Sequence, residues 1–154
     1  MARKGETRLW RTLSSVFVLA VAVNYPWEML QAPLYRMDTG SMPTWLHCFR
    51  ASLGDGVLLL AILILGAWIL GRLDWFHRPG LTGYAWMLTS GLCMAAAVEW
   101  MAVHVLNRWS YRPAMPLLPR LDIGLVPVAQ MLVLPPAIFA VAAWLVLKRR
   151  GPAS

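Results

Sequence analysis

Residues 95–112 read AAAVEWMAVHVLNRWSYR, and the whole chain is interpreted outward from this stretch. It is the end of a long apolar run that acquires Glu99 and His104 before leaving on Arg108, Trp109, Ser110 and Tyr111. A carboxylate is costly to hold in hydrocarbon, so a Glu inside so apolar a segment is a functional-site candidate by default. The other acidic and amide side chains are therefore read by asking whether they lie at the depth of Glu99.

The chain has 154 residues, the size of one domain. It is 59% hydrophobic and only 14% charged, with nine Trp. A soluble domain carries about 25% charged residues, so the deficit places the chain in a membrane. Its net charge of +7 does not point to nucleic acid, because the cations flank apolar runs and form no separate basic domain. Two cysteines, Cys48 and Cys93, make no disulfide framework and read as small buried hydrophobes. Ala20-Val21-Ala22 resembles a leader-cleavage site, but the apolar run continues to Leu34, so a retained first span is expected.

Four segments are long enough to cross a bilayer, which takes roughly 20 residues each. They are about 12–34, 45–71, 81–106 and 125–147. With short connections, they predict an all-α, four-helix, up-down-up-down bundle forming a single integral membrane domain over residues 1–154. Arg3, Lys4, Arg8, Arg11, Arg72, Arg78, Lys148, Arg149 and Arg150 collect on one side; Arg36, Arg50, Arg108, Arg112 and Arg120 collect on the other. That asymmetry puts both termini in the cytoplasm, with the inner (plasma) membrane as the expected location. The turn Gly71 to Gly80 is a compact cytoplasmic connection closed by Pro79 and Gly80. Pro43 is a good first-turn residue with Ser41 near the cap position, so the second helix is expected to run from there through Gly54-Asp55-Gly56, bringing Asp55 inside the boundary.

Glu28, Asp55, Glu99 and Gln130 lie 16 to 18 residues from the cytoplasmic ends of their helices. At 1.5 Å of rise per residue this is one level, about 24–27 Å up. On the first helix Asn24, Glu28, Gln31 and Tyr35 recur at i, i+4, i+7 and i+11, a polar stripe that lipid would not tolerate. On the third, Gly91 and Ala95 share the stripe of Glu99; on the second, Cys48, Ser52 and Asp55 align. These facings predict an inward, outward-opening polar pocket.

Three carboxyls in one low-dielectric cleft suit general acid–base work, so Glu99, Glu28 and Asp55 are the catalytic candidates. Protonating an alkene or moving a proton in an isomerisation or cyclisation is the expected reaction class, with a lipid or isoprenoid-like substrate. Trp27, Trp100 and Tyr25 are the candidates to stabilise a developing cation. Asn24, Gln31, His47, Arg50, His104, Arg108, Tyr111, Arg112 and Gln130 are the ligand-binding candidates. The basic, aromatic loop from Asn107 to Pro113, with Arg120, suits an anionic headgroup or membrane lipid.

A competing reading pairs Glu28, Asp55 and Glu99 with Arg50, His104 and Arg108 simply to lock the helices, as in an accessory subunit of a membrane complex. A proton- or ion-conducting homo-oligomer is a further alternative. No metal or cofactor is expected: Glu99 and His104 stand five residues apart, about 140° around a helix. Gly-x-Ser-x-Gly, phosphate-cradling Gly-rich and Cys-x-x-Cys motifs are absent from the sequence.

Overall fold

The computed structural model describes residues 2–37 and 42–148. Ser41, expected near a helix cap, and the cations Arg149 and Arg150 lie outside the described residues, as do the side chains of Arg3, Lys4, Arg8 and Lys148. The structure is mostly helical, with α1 (Ala2–Gln31), α2 (Thr44–Ile69), α3 (Gly80–Trp100) and α4 (Leu125–Lys148) as its long elements. They contain four stretches long and apolar enough to cross a membrane: Leu9–Leu34, Thr44–Ile69, Gly80–Val105 and Leu125–Leu145. α1 packs most extensively on α2 and also on α4, and α4 in turn packs on α3.

The helices depart from the expected boundaries where the backbone has a reason to. α1 begins ten residues before Thr12 and stops at Gln31, because Pro33 ends the run in a single 3-10 turn over Ala32–Leu34. Tyr35 therefore stands on an extended strand and not on the helical stripe with Asn24, Glu28 and Gln31. Pro43 takes the N-cap position of α2 with an extended backbone, one residue outside the first turn. α2 then continues without a break through Gly54, Asp55 and Gly56, which keeps Asp55 on the helix. α3 gives way at Met101 to a π-turn over Met101–Val105. That wider turn ends on the bonds Leu106 N–H to Met101 O (2.9 Å) and Arg108 N–H to Ala102 O (2.8 Å), with Asn107 in the left-handed region at φ 48°.

An all-helical reading also misses two small ribbons. β1 (Tyr35–Met37) pairs antiparallel with β2 (Trp109–Tyr111), setting Tyr35 opposite Tyr111, Arg36 opposite Ser110 and Met37 opposite Trp109. β3 (Leu117–Leu118) pairs with β4 (Ile123–Gly124) just before α4. The stretch after α3 is thus half of a ribbon and not an open loop.

The core is built where the helices carry mainly apolar side chains. Val16 and Ala20 of α1, Leu59, Ile62 and Leu63 of α2, Met87 of α3 and Ile138 and Phe139 of α4 are buried together. The connection between α2 and α3 does more than turn the chain. Its 3-10 segment Trp75–His77 sends Trp75, fully buried, and Phe76 into this core. The Trp75 indole donates to the Leu63 carbonyl at 3.0 Å, and that of Trp86 donates to the Ile62 carbonyl at 3.0 Å. Gly66 makes the room, since a Cβ there would run into both rings. Gly71, at φ 69°, provides the left-handed residue that ends α2.

At the other end, proline and glycine cooperate between helices. Pro135 has no N–H to offer the Met131 carbonyl one turn earlier in α4. That carbonyl lies against Gly91 of α3, at the place a Cβ would occupy. The close approach holds α3 and α4 together next to Ala95 and Glu99.

Candidate functional site

The polar side chains come from the C-terminal ends of α1 and α3 and the N-terminal ends of α2 and α4. α1 contributes Asn24, Glu28 and Gln31, spaced so that all three share one face of the helix. Asn24 is fully buried, and its Nδ2 donates to its own helix at the Ala20 carbonyl, 2.8 Å away. Its Oδ1 is thereby turned outward as an acceptor, and Gln130 Nε2 of α4 donates to it at 2.8 Å. The same nitrogen lies 3.0 Å from Glu28 Oε1 and 3.1 Å from Asp55 Oδ2, so one amide of α4 joins α1 to α2.

The orientation of each amide follows from the one before it. With Nε2 of Gln130 committed to these acceptors, its Oε1 faces Gln31 and accepts from Gln31 Nε2 at 3.0 Å. Gln31 Nε2 also donates to Glu28 at 2.7 Å. That leaves Gln31 Oε1 as a buried acceptor with no donor, on a residue only 4% exposed. An unpaired buried polar atom costs roughly 1–3 kcal/mol, which makes this oxygen an exception that a ligand donor would relieve. Asp55 and Glu28 are also within hydrogen-bonding contact of each other. Nearer the start of α2, Ser52 bonds back to the Cys48 carbonyl at 2.8 Å, and the Cys48 thiol reaches the Glu28 carbonyl at 3.5 Å.

Glu99 has a different set of partners. The Tyr111 hydroxyl donates to its Oε2, with the Trp109 indole at 3.4 Å from the same oxygen and the Tyr35 hydroxyl at 3.4 Å from Oε1. All three donors stand on the β1–β2 ribbon. Strand alternation and the Tyr35–Tyr111 register put Tyr35, Trp109 and Tyr111 on one ribbon face, turned toward α3. The rings pack on one another, Tyr35 lying 6.1 Å from Trp109 and 5.6 Å from Tyr111 between centroids. Burial, with the Glu99 carboxyl alongside, raises both the Tyr35 and the Tyr111 phenol above the ordinary tyrosine range.

Both groups border one cavity of about 830 Å³, within the roughly 300–1,000 Å³ range of small-molecule sites. Glu28, Gln31, Asp55, Glu99 and Gln130 supply its polar wall, with His47, Arg50 and Arg108 also on its lining. Leu58, Ala95, Val98, Leu106 and Met131 supply the apolar wall. The depth count from sequence thus brings Glu28, Asp55, Gln130 and Glu99 to one cavity, although Glu99 bonds to the ribbon and not to the amide network.

The remaining candidates divide. Asn24 supports the network from behind the wall, through Gln130. Tyr111 acts on Glu99, and Arg112 Nε donates to the Tyr35 carbonyl at 3.1 Å, bracing the ribbon. His104 is exposed, lies outside the lining, and bonds the Leu121 carbonyl at 3.1 Å while its ring packs near Trp100. Trp27, Trp100 and Tyr25 do not line the cavity; Tyr35 and Trp109 are the aromatic side chains that do. Helical periodicity puts Tyr35 on the pocket-facing stripe and composition puts Trp109 in the aromatic outer loop, but their meeting at Glu99 depends on a strand pairing that neither signal announces.

Among the described residues, no Arg, Lys or His forms an ion pair with Glu28, Asp55 or Glu99; Arg50 reaches only the Met42 sulfur, at 3.9 Å. Neutral amides, phenols and an indole hold the acids instead. Among the described residues no three His, Cys, Asp or Glu side chains come together as a metal-ligand set. Comparison with protein-family models, with curated proteins and with solved structures finds no match to this chain.

Proposed function

We propose that the chain is a multi-pass enzyme of the inner (plasma) membrane that binds a lipid or isoprenoid-like substrate in this cavity and carries out acid–base chemistry on it. The spans run up-down-up-down with both termini cytoplasmic, a reading supported by the flanking cations and the short connections. The cavity then opens toward the outer side.

One observation carries the reading: three acids border one cavity, and among the described residues none of them forms an ion pair. A chain that used these acids only to fasten helices would pair them, because an isolated buried charge is far costlier than a paired one. The roles follow from the contacts. Glu28 and Asp55 stand in hydrogen-bonding contact, and this pair takes the role of proton donor. Glu99 faces three donors and no acceptor, the surroundings of a base. Proton delivery to one alkene carbon leaves a cation on the other, and loss of a proton to Glu99 from the next carbon beyond the cation shifts the double bond, with Tyr35 and Trp109 facing the cationic intermediate. Gln31 Oε1 accepts a hydroxyl or other donor of the substrate.

The test is native mass spectrometry of the purified protein in mild detergent. Gly54 lines the cavity and nothing lies within 4 Å of a Cβ built there, so Gly54→Trp starts its ring in open space on the cavity wall. The wild type carries a stoichiometric lipid or isoprenoid species, and Gly54→Trp loses it while keeping its melting temperature. A wild type with no bound species, or equal occupancy in the variant, refutes the site. For chemistry, Glu99→Gln keeps the shape and removes the base, so it retains ligand binding and the fold but not turnover.

A further inference from the structure

The ribbon that caps Glu99 has a second face. Alternation along β1 and β2 turns Arg36 and Ser110 away from Tyr35, Trp109 and Tyr111. On that side Arg36, Arg108 and Arg112, with Asn107 and Ser110, line a second cavity of about 640 Å³. Among its described lining residues there is no carboxylate. Neither the Arg36 nor the Arg108 side chain has a hydrogen-bond or ion-pair partner among the described residues, and the Arg112 side chain spends only its Nε, on the Tyr35 carbonyl at 3.1 Å. Guanidinium groups gathered on one face repel one another, and among the described lining residues no carboxylate offsets this. The bond to Tyr35 also fixes the Arg112 plane while leaving its outer fork free.

The two cavities are neighbours. Asn107, Arg108 and Trp109 line both, placed there by the π-turn and the left-handed Asn107 that follow α3. A ligand spanning that shared edge would meet guanidinium forks on one side and an acidic, partly apolar chamber on the other.

We propose that Arg36, Arg108 and Arg112 form a binding site for a phosphate group, the head of an amphiphile whose body enters the acidic cavity. Planar guanidinium forks match phosphate oxygens in bidentate fashion, which is the chemistry this face offers. The inference names the head of the substrate and so rests on the reading of the larger cavity as a ligand site.

The test uses the full chain in non-ionic detergent, with calorimetric binding of farnesyl phosphate, farnesol and inorganic pyrophosphate. The wild type binds one farnesyl phosphate at least tenfold more tightly than farnesol. Arg36→Gln/Arg108→Gln/Arg112→Gln loses that preference and keeps its farnesol affinity. Arg36→Lys/Arg108→Lys/Arg112→Lys, which preserves charge if the first variant fails to fold, loses at least part of the preference because it lacks the forks. Equal affinity for the phosphate and the alcohol in the wild type overturns the proposal, and so does an unchanged preference in the Lys variant, which would indicate charge attraction only. If pyrophosphate binds the wild type but not the Gln variant, while Gly54→Trp leaves farnesyl phosphate binding unchanged, the phosphate site stands and the larger cavity is not where the body goes. Pyrophosphate binding as tightly as farnesyl phosphate assigns the site to free phosphates and overturns the amphiphile. Preference for phosphatidylglycerol over phosphatidylcholine vesicles without saturable binding in detergent marks a membrane-surface anchor and overturns it too.

Discussion

Gly91 of α3 and Met131 of α4 meet through their main chains: the Met131 carbonyl, which Pro135 leaves without an N–H, rests where a side chain of Gly91 would begin. The contact lies one turn from Ala95 and two from Glu99, so it sets how closely α4 brings Gln130 and Met131 to the cavity.

Gly91→Ala is therefore expected to destabilise, despite alanine's better helix propensity. The added carbon meets a backbone oxygen that cannot rotate away, and overpacking of this kind costs about 1–3 kcal/mol. Gly54→Ala is the matched control, because nothing lies within 4 Å of a Cβ there. It should be neutral or gain up to about 1 kcal/mol from helix propensity. Thermal melts of the two variants in detergent check the contrast, and equal melting temperatures would contradict the packing.

Gln130→Leu keeps the volume but removes the amide that joins α1, α2 and α4. Asn24, Gln31, Glu28 and Asp55 each lose a partner, at roughly 1–3 kcal/mol for each group that stays buried and unpaired. A loss of several degrees in melting temperature is expected, larger than for Gln31→Leu, which removes fewer bonds. The ordering of the two melts decides it.

The ribbon tyrosines give a pH dependence of definite sign. Burial, then the Glu99 carboxyl, raises the Tyr35 phenol; burial, then the hydrogen bond to Glu99, raises Tyr111. An unfolded tyrosine ionises near pH 10, so this contribution to stability is fully present below about pH 10. Above that, the unfolded chain releases protons the folded chain keeps, and stability falls as pH rises. Melts across the alkaline range should steepen accordingly, and Tyr35→Phe/Tyr111→Phe should flatten the slope.

Trp75 sits in a connection, yet Trp75→Ala should behave as a core truncation. Its ring is fully buried against Phe139 at 5.6 Å, and losses of about 3–5 kcal/mol accompany such changes. Arg72→Ala in the same turn, whose side chain is exposed, should cost less than about 0.5 kcal/mol. Similar melts for both would place Trp75 outside the core.

The orientation of the spans is checked by reporter fusions at Ser154 and after Arg112, which should report opposite sides of the membrane. Matching signals would end the up-down-up-down reading.

The sequence by itself determined that this chain has four apolar helices of spanning length, because hydrophobicity and rise per residue are local properties. It also grouped Glu28, Asp55, Glu99 and Gln130 by a count of residues along their helices, and the four border one cavity. It could not decide partners, because those depend on rotation and on which elements touch. The pairing of Arg50, His104 and Arg108 with the acids was reasonable from sign alone. The tertiary structure holds the acids with amides and phenols instead, turns His104 to the Leu121 carbonyl, and brings Tyr35 and Trp109 to Glu99 through a strand pair only three residues long. Pro33, the π-turn at Met101–Val105 and the left-handed Asn107 interrupt helical periodicity at these points. Once the period is broken, spacing in sequence no longer maps to a face. Only the closure of the ribbon over α3 could show which side chains reach Glu99.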